Sequence, residues 1–273
     1  MRWRLASFLL ASLTLPAAAS ADTAYMEPST YAPGPGQTLT VEASFSDHCC
    51  NPKHAVRSEA YAVILPDGSS MPPDRIEHFA THTAMEHKLT EPGTTRFTTG
   101  ERLGRMGEYV LLDATYHLIN SEDAAPVGLP PGIAILSSQT ATVSDTYVTV
   151  GQPTWDSVNT PVGRLAITPG AHPSAIHAGD RLSLSVTFDG EPVTAQMVTL
   201  TRSGQGDRPR DTGLTYQTDA NGEVTIALPD TGTHLVMTRL QAPSPSGAQT
   251  DLRSYTTSLT FQVQDARAPG PEN

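Results

Sequence analysis

The chain has 273 residues, and its 28 acidic side chains against 17 lysines and arginines give a formal net charge of −11. A surface with this excess of carboxylates repels phosphate backbones, which argues against nucleic acid as a partner. The 23 prolines and 21 glycines leave little room for long helices. The composition therefore disfavours a helical fold.

The first segment has the pattern of an export signal. Arg2 and Arg4 precede an apolar run at 5–15, and Ala19-Ser20-Ala21 supplies the small residues of a cleavage site. The run is too short to span a bilayer, and no later segment reaches about 20 apolar residues. We therefore predict a signal peptide at 1–21, a mature chain that starts at Asp22, and a soluble periplasmic protein with no membrane insertion after cleavage.

The first elements of the mature chain are strands. Apolar and polar residues alternate at 38–45, which predicts a half-buried strand. The apolar run 60–65 precedes the turn Pro66-Asp67-Gly68-Ser69, which predicts a core strand followed by a hairpin. The segment 109–119 predicts another strand, and 124–132, rich in proline and glycine, predicts a loop.

Between the first two strands lie the only cysteines, Cys49 and Cys50, bracketed by His48 and His54. In an oxidising compartment adjacent cysteines have three fates: a ring disulfide, a bond to another chain, or a soft metal site completed by imidazoles. Thiolate and imidazole ligands together suit Cu(I) or Zn(II). The predicted metal ligands are His48, Cys49, Cys50 and His54. The competing structural interpretation is a disulfide that stiffens the loop.

The next candidate ligands are His78, His82 and Glu86, spaced four residues apart. On a helix these side chains share one face and lie close enough to chelate an ion. On a strand, His78 and His82 would lie about 13 Å apart. The surrounding β pattern favours the strand, with solvated histidines on a polar face.

The second half of the chain repeats the same pattern. Residues 181–188 alternate and end in the turn Asp189-Gly190, and further strands are predicted at 198–200, 224–228, 234–240 and 255–263. Pro153 and Pro161 mark a linker at 151–163. Short strands at this spacing predict an all-β fold of two antiparallel β-sandwich (immunoglobulin-like) domains in tandem. The predicted bounds are 22–158 and 159–264, followed by a disordered tail at 265–273.

Several of these segments resemble a bacterial periplasmic family of unknown function. The resemblance rests on the start of the mature chain at 25–37, on 165–169, on Phe188-Asp189-Gly190-Glu191-Pro192, on 218–222 and on the closing segment 254–261. Some members of that family are described as substrate-specific components of nickel or cobalt uptake. Members often carry a histidine shortly before the Glu-Pro pair, where this chain has Asp22 and Thr23, so that chelating position is missing.

The resemblance implies an exported periplasmic binding protein that is accessory to transition-metal uptake or handling. The ion would be nickel, cobalt, copper or zinc, and the partner a metal transporter or another envelope protein. The alternative is a non-enzymatic structural or protein-interaction module of the cell envelope, with no metal. The sequence has no Gly-x-Ser-x-Gly elbow, phosphate-binding glycine loop or His-Glu-x-x-His motif, and we predict no enzymatic activity.

Overall fold

The computed structural model describes residues 22–47, 49–120, 128–204 and 213–267. The predicted signal peptide, His48 and residues 268–273 of the predicted tail lie outside these ranges. Within them, no helix combines the length and the apolar character needed to cross a membrane.

The first half of the chain contains eleven strands in the described ranges. In chain order they are β1 (Thr23–Pro28), β2 (Thr38–Ser46), β3 (His54–Ala55), β4 (Ala62–Ile64), β5 (Ser70–Met71), β6 (Arg75–His78), β7 (Thr83–Lys88), β8 (Gly93–Thr98), β9 (Arg102–Leu112), β10 (Thr115–Ile119) and β11 (Leu136–Val150).

A short helix follows in the segment predicted as a linker, and the second half is again built of strands. The elements are α1 (Asp156–Asn159), β12 (Leu165–Pro169), a 3-10 turn at Pro173–Ala175, β13 (Arg181–Phe188), β14 (Glu191–Pro192), β15 (Met197–Arg202), β16 (Leu214–Gln217), β17 (Glu223–Ala227), β18 (Gly232–Pro243) and β19 (Leu252–Val263).

These strands form three sheets, and the largest of them belongs to both halves of the chain. The N-sheet contains β1, β2, β3, β6 and β7, and the C-sheet contains β12, β13, β14 and β17. The ten-stranded shared sheet runs in the order β16-β15-β18-β19-β11-β8-β4-β5, and β9 and β10 extend it beside the first part of β11. The two halves are therefore joined by continuous backbone hydrogen bonding.

Strands β11 and β19 make the join at the centre of the shared sheet. They run parallel, with Ser138–Thr146 paired to Leu252–Thr260, whereas every other named strand pair in the described ranges is antiparallel. A parallel pair needs a long crossover connection, here the whole C-sheet and its neighbours. This pairing departs from the purely antiparallel sandwiches predicted from sequence.

The N-sheet and the C-sheet cover opposite faces of the shared sheet. Successive side chains of a strand point to opposite faces, and β11 uses both. Val148 and Val150 enter the core beneath the N-sheet, together with Leu39 and Phe97. Ala141 and Tyr147 enter the core beneath the C-sheet, which also contains Leu184, Ile226, Tyr255 and Phe261. The sandwich architecture arises because one central sheet carries a core on each side.

The all-β class predicted from sequence is confirmed, and most predicted strands coincide with observed ones. One prediction is wrong: 109–119 is not a single strand but the end of β9, a turn, and β10. Asp113 and Ala114 form the turn with φ of 48° and 62°, a left-handed conformation that alanine rarely adopts. The turn contains no glycine or proline, and for that reason the sequence pattern predicted one strand across it. The domain bounds 22–158 and 159–264 stay a prediction.

Candidate functional site

Cys49 and Cys50 are joined by a disulfide in a turn after β2, and neither cysteine is free. Cys49 is buried against Tyr25 of β1 and Leu235 of β18, and Cys50 packs on the same cluster. We call these four residues the junction cluster. Of the fates considered for the adjacent cysteines, the structure shows the intramolecular disulfide.

The junction cluster lies where the N-sheet meets the second half of the chain. Next to it, the Ser258 hydroxyl donates to the carbonyl of Ala24 across 2.6 Å, and the Thr233 hydroxyl donates to Glu27 Oε1 across 2.9 Å. Both bonds join β1 to strands of the shared sheet. The disulfide therefore acts as an apolar plug between elements more than 180 residues apart in the chain.

Two carboxylates beside the cluster are close to each other. Glu27 and Glu42 are register partners on β1 and β2, and the Tyr25 hydroxyl donates to Glu42 Oε1 across 2.8 Å. Burial raises the pKa of Glu27 above its ordinary value, the hydrogen bond from Thr233 opposes this, and the charge of Glu42 adds to the rise. Burial also raises the pKa of Tyr25, as do its hydrogen bond and proximity to Glu42. The bond between Thr233 and Glu27 joins the two halves of the chain, whereas the bond between Tyr25 and Glu42 lies within the N-sheet.

The predicted metal ligands around the cysteines are only partly brought together. His54 lies on β3 as the register partner of Phe45, and its side chain is exposed. The sulfurs of Cys49 and Cys50 are bonded to each other, which leaves no thiolate for an ion. Across the described part of the chain, no group of three or more His, Cys, Asp or Glu side chains could hold a metal. Because His48 lies outside that part, the predicted site as a whole stays a prediction.

The second candidate set lies on the β6–β7 hairpin. No helix forms there, and the single strand favoured from sequence is interrupted by a turn at 79–82, which contains His82. His78 ends β6, where its Nδ1 is 2.9 Å from Thr83 Oγ1, and His82 stacks on Phe79 in the turn. Glu86 is the register partner of Arg75, at the other end of β6. Arg75 is three positions, or about 10 Å, from His78 along the strand. A shallow surface depression there is lined by Thr40, Arg75, Glu77, Phe79, Ala84 and Glu86, but by neither histidine. The structure does not bring the three residues together.

The hairpin of β9 and β10, which we call the wing, is the feature that the sequence interpretation missed. Leu103, Met106 and Leu111 on β9 are 48%, 61% and 48% exposed. Leu103 and Met106 pair with Ala141 and Gln139 and so share one face of the sheet, whereas Leu111 lies on the other. Among the strands that the structure describes, β10 pairs only with β9. As far as the described strands go, the wing thus has an open edge, and it carries apolar side chains on both faces.

The described structure is a double-core β-protein whose cysteine segment forms a structural plug. Residues 19–242 match the profile of a family described as "Domain of unknown function (DUF4198)". Because the match spans well over half of the chain, the protein belongs to this family. The expected membership of a family of unknown function is thus confirmed, and the nickel or cobalt association stays a prediction. No curated protein matches the chain.

Among solved structures the chain is similar to the D0-D1 domain of intimin, with 12% identity, 87% of this chain and 96% of that chain covered, and a TM-score of 0.22. The Yersinia pseudotuberculosis adhesin InvE is 16% identical, with 90% of this chain and 63% of that chain covered and a TM-score of 0.22. This chain therefore spans less than two thirds of InvE. Trypsin-activated alpha-2-macroglobulin from Escherichia coli is 12% identical, with 89% of this chain and 16% of that chain covered and a TM-score of 0.24. At TM-scores this low, none of these similarities bears on what the chain does.

Proposed function

We propose that this protein is a non-enzymatic protein-interaction module of the cell envelope, exported to the periplasm, and that the wing is its docking surface. The observation that carries the proposal is the open edge of β10 beside Leu103, Met106 and Leu111. Its export is supported by the signal pattern at 1–21.

The edge of β10 has the properties of a strand that accepts another strand. A partner chain can hydrogen-bond to an unpaired edge, and apolar side chains alongside it supply further affinity. Proteins that must avoid such pairing usually place lysine or proline on the edge, and β10 (Thr115–Ile119) contains neither. The edge strand β6, by contrast, carries Arg75 and Glu77. The wing is therefore the better candidate of these two edges for binding a partner.

Metal handling has no comparable support in the described residues. The sulfurs of Cys49 and Cys50 are bonded to each other. His54, the described histidine of the predicted metal site, lies exposed on β3. The predicted accessory role in nickel or cobalt uptake now depends on His48 and on ligands outside the described ranges. An interaction module, by contrast, needs only the open edge and the exposed apolar side chains of the wing.

The proposal is tested by the size of the native complex. Wild-type protein, a Leu103→Ser/Met106→Ser/Leu111→Ser variant, and a Met197→Ser/Leu214→Ser control are produced in the native cells, and each is extracted gently and sized. The control removes exposed apolar side chains from β15 and from the opposite edge strand β16. We expect the wild type and the control to migrate with a partner and the wing variant to migrate alone. A wild type that is already alone, or a wing variant that keeps the complex, would contradict the proposal.

A further inference from the structure

Two arginines bracket a pair of threonines in one transverse row of the shared sheet, next to the base of the wing. Register pairing runs across β9, β11, β19 and β18 through Arg102, Thr142, Thr256 and Arg239. Register partners point to the same face, and this face is opposite to the one that carries Ala141 and Tyr255 into the core. The row therefore lies on the same face as Val148 and Val150, nearer the start of β11 than the part of that face that the core of the N-sheet covers. We call it the arginine row.

Thr142 and Thr256 lie at the centre of the row, and Arg102 and Arg239 lie at its two ends. Thr142 and Thr256 are only 6% and 7% exposed. Arg239 Nε donates to Thr256 Oγ1 across 3.0 Å. Arg102 Nε donates to the carbonyl of Arg57, and its guanidinium lies 5.4 Å from the ring centre of Phe45. Each guanidinium group is thus held by a hydrogen bond from its Nε, and its Nη groups have no hydrogen-bond partner among the described residues.

Neither arginine of the row has a carboxylate partner within the described ranges. Composition does not explain this, because acids outnumber lysines and arginines by 28 to 17. The contrast is Arg96, a buried arginine of the same sheet that pairs with Asp145. A partly buried cation without a counter-ion is unfavourable, and an anionic ligand would relieve that cost.

The electrostatic surroundings agree with an anion site. Burial lowers the pKa of Arg102, although the nearby Tyr61 opposes the shift. Burial likewise lowers the pKa of Arg239, and the positive charge of Arg105 lowers it further, whereas Tyr109 raises it. Two partly buried guanidinium groups, Arg102 and Arg239, therefore lie in one row of an acidic protein.

We propose that the arginine row binds the carboxylates of an extended acidic segment of a partner protein. Guanidinium groups bind carboxylates in a two-pronged geometry, which favours Asp and Glu side chains as the ligand. Three strand spacings separate the Cα atoms of Arg102 and Arg239, or about 14 Å, which an extended segment spans with about four residues. Acidic residues four apart would fit the row. This inference rests on the proposed interaction function and names the partner's chemistry.

A labelled peptide tests the row directly. The probe is a short threonine-rich peptide with two glutamates four residues apart, and its twin carries glutamine at both positions. Anisotropy titration of the wild-type protein at low salt compares the two. We expect the glutamate peptide to bind at least about tenfold more tightly. Because the wild-type protein is used, this comparison does not depend on the folding of a variant. Equal binding of the two peptides, or binding of neither, would overturn the proposal.

Variants then locate the site. Arg102→Gln/Arg239→Gln should weaken binding of the glutamate peptide about tenfold or more. The control Lys88→Gln/Arg181→Gln makes the same change in net charge at two exposed positions and should bind as the wild type does. A control that loses as much affinity as the row variant would show only a net-charge effect. If the wing variants release the native partner while the peptide comparison fails, the interaction function stands and the acidic partner does not.

Discussion

Arg96 on β8 and Asp145 on β11 form a buried ion pair at the centre of the shared sheet, with 2.6 Å between Nη2 and Oδ2. The same guanidinium donates to the carbonyl of Thr160 across 2.7 Å and lies 5.5 Å from the ring centre of Tyr147. Burial is the largest single influence and would lower the pKa of Arg96, but the charge of Asp145, its hydrogen bond and Tyr147 together outweigh burial, and the pKa is raised. The pair therefore links the first half of the chain to the segment that leads into the second.

Breaking this pair should destabilise the protein strongly. Asp145→Asn leaves the Arg96 charge buried without a counter-ion, and we expect the free energy of unfolding to fall by about 3–5 kcal/mol. The double change Arg96→Met/Asp145→Leu removes both charges and should cost clearly less. Urea unfolding of the wild type and both variants measures the difference. If Asp145→Asn is no less stable than the double variant, the pair does not hold the junction.

The disulfide should stabilise the protein by packing rather than by closing a loop. Joining neighbouring residues restricts the unfolded chain very little, so the chain-entropy contribution is small. Cys49→Ser/Cys50→Ser places hydroxyls against Tyr25 and Leu235 and should lower the free energy of unfolding by about 1–3 kcal/mol. The alanine pair, which adds no hydroxyl, should lose less. A serine pair as stable as the wild type would show that the cluster is not a plug.

Glu27 should make stability depend on pH. Its raised folded-state pKa means that its favourable contribution is present below the ordinary glutamate pKa of about 4.3 and is lost as the pH rises through the folded value. Glu27→Gln keeps an acceptor for Thr233 without the charge. The variant should be more stable than the wild type at neutral pH, and this advantage should vanish near pH ~4. Urea midpoints test this, with the exposed Glu91→Gln as the control; a gain that does not change with pH would contradict it.

Protein purified from its native compartment without a histidine tag should contain no titratable thiols after unfolding under non-reducing conditions. Its metal content should be well below one ion per chain, because both cysteine sulfurs are consumed by the disulfide. Elemental analysis and thiol titration make the two measurements. One equivalent of nickel, cobalt, copper or zinc together with two free thiols would restore the predicted site at His48, Cys49, Cys50 and His54.

Local pattern was enough to predict the strands whose side chains alternate across a core, such as β2 and β13. It failed where the decisive contacts are distant in the chain. The parallel pairing of β11 with β19 joins residues more than 100 positions apart, and no local signal predicts it. The arginine row depends on the same pairing. The turn at Asp113 and Ala114 was missed because it contains no glycine or proline, and its single aspartate does not stand out from the apolar residues around it. The cysteines were visible in the sequence, but their contact with Leu235 was not.

Docking of the wing on another envelope protein can be detected by site-specific photo-crosslinking in the native cells. A photoreactive phenylalanine analogue replaces Leu111 on β9 in one variant and Leu214 on β16 in the other, both exposed positions. We predict a light-dependent adduct with a discrete envelope protein from position 111 and none from position 214. No adduct from position 111, or the same adduct from both positions, would contradict the account.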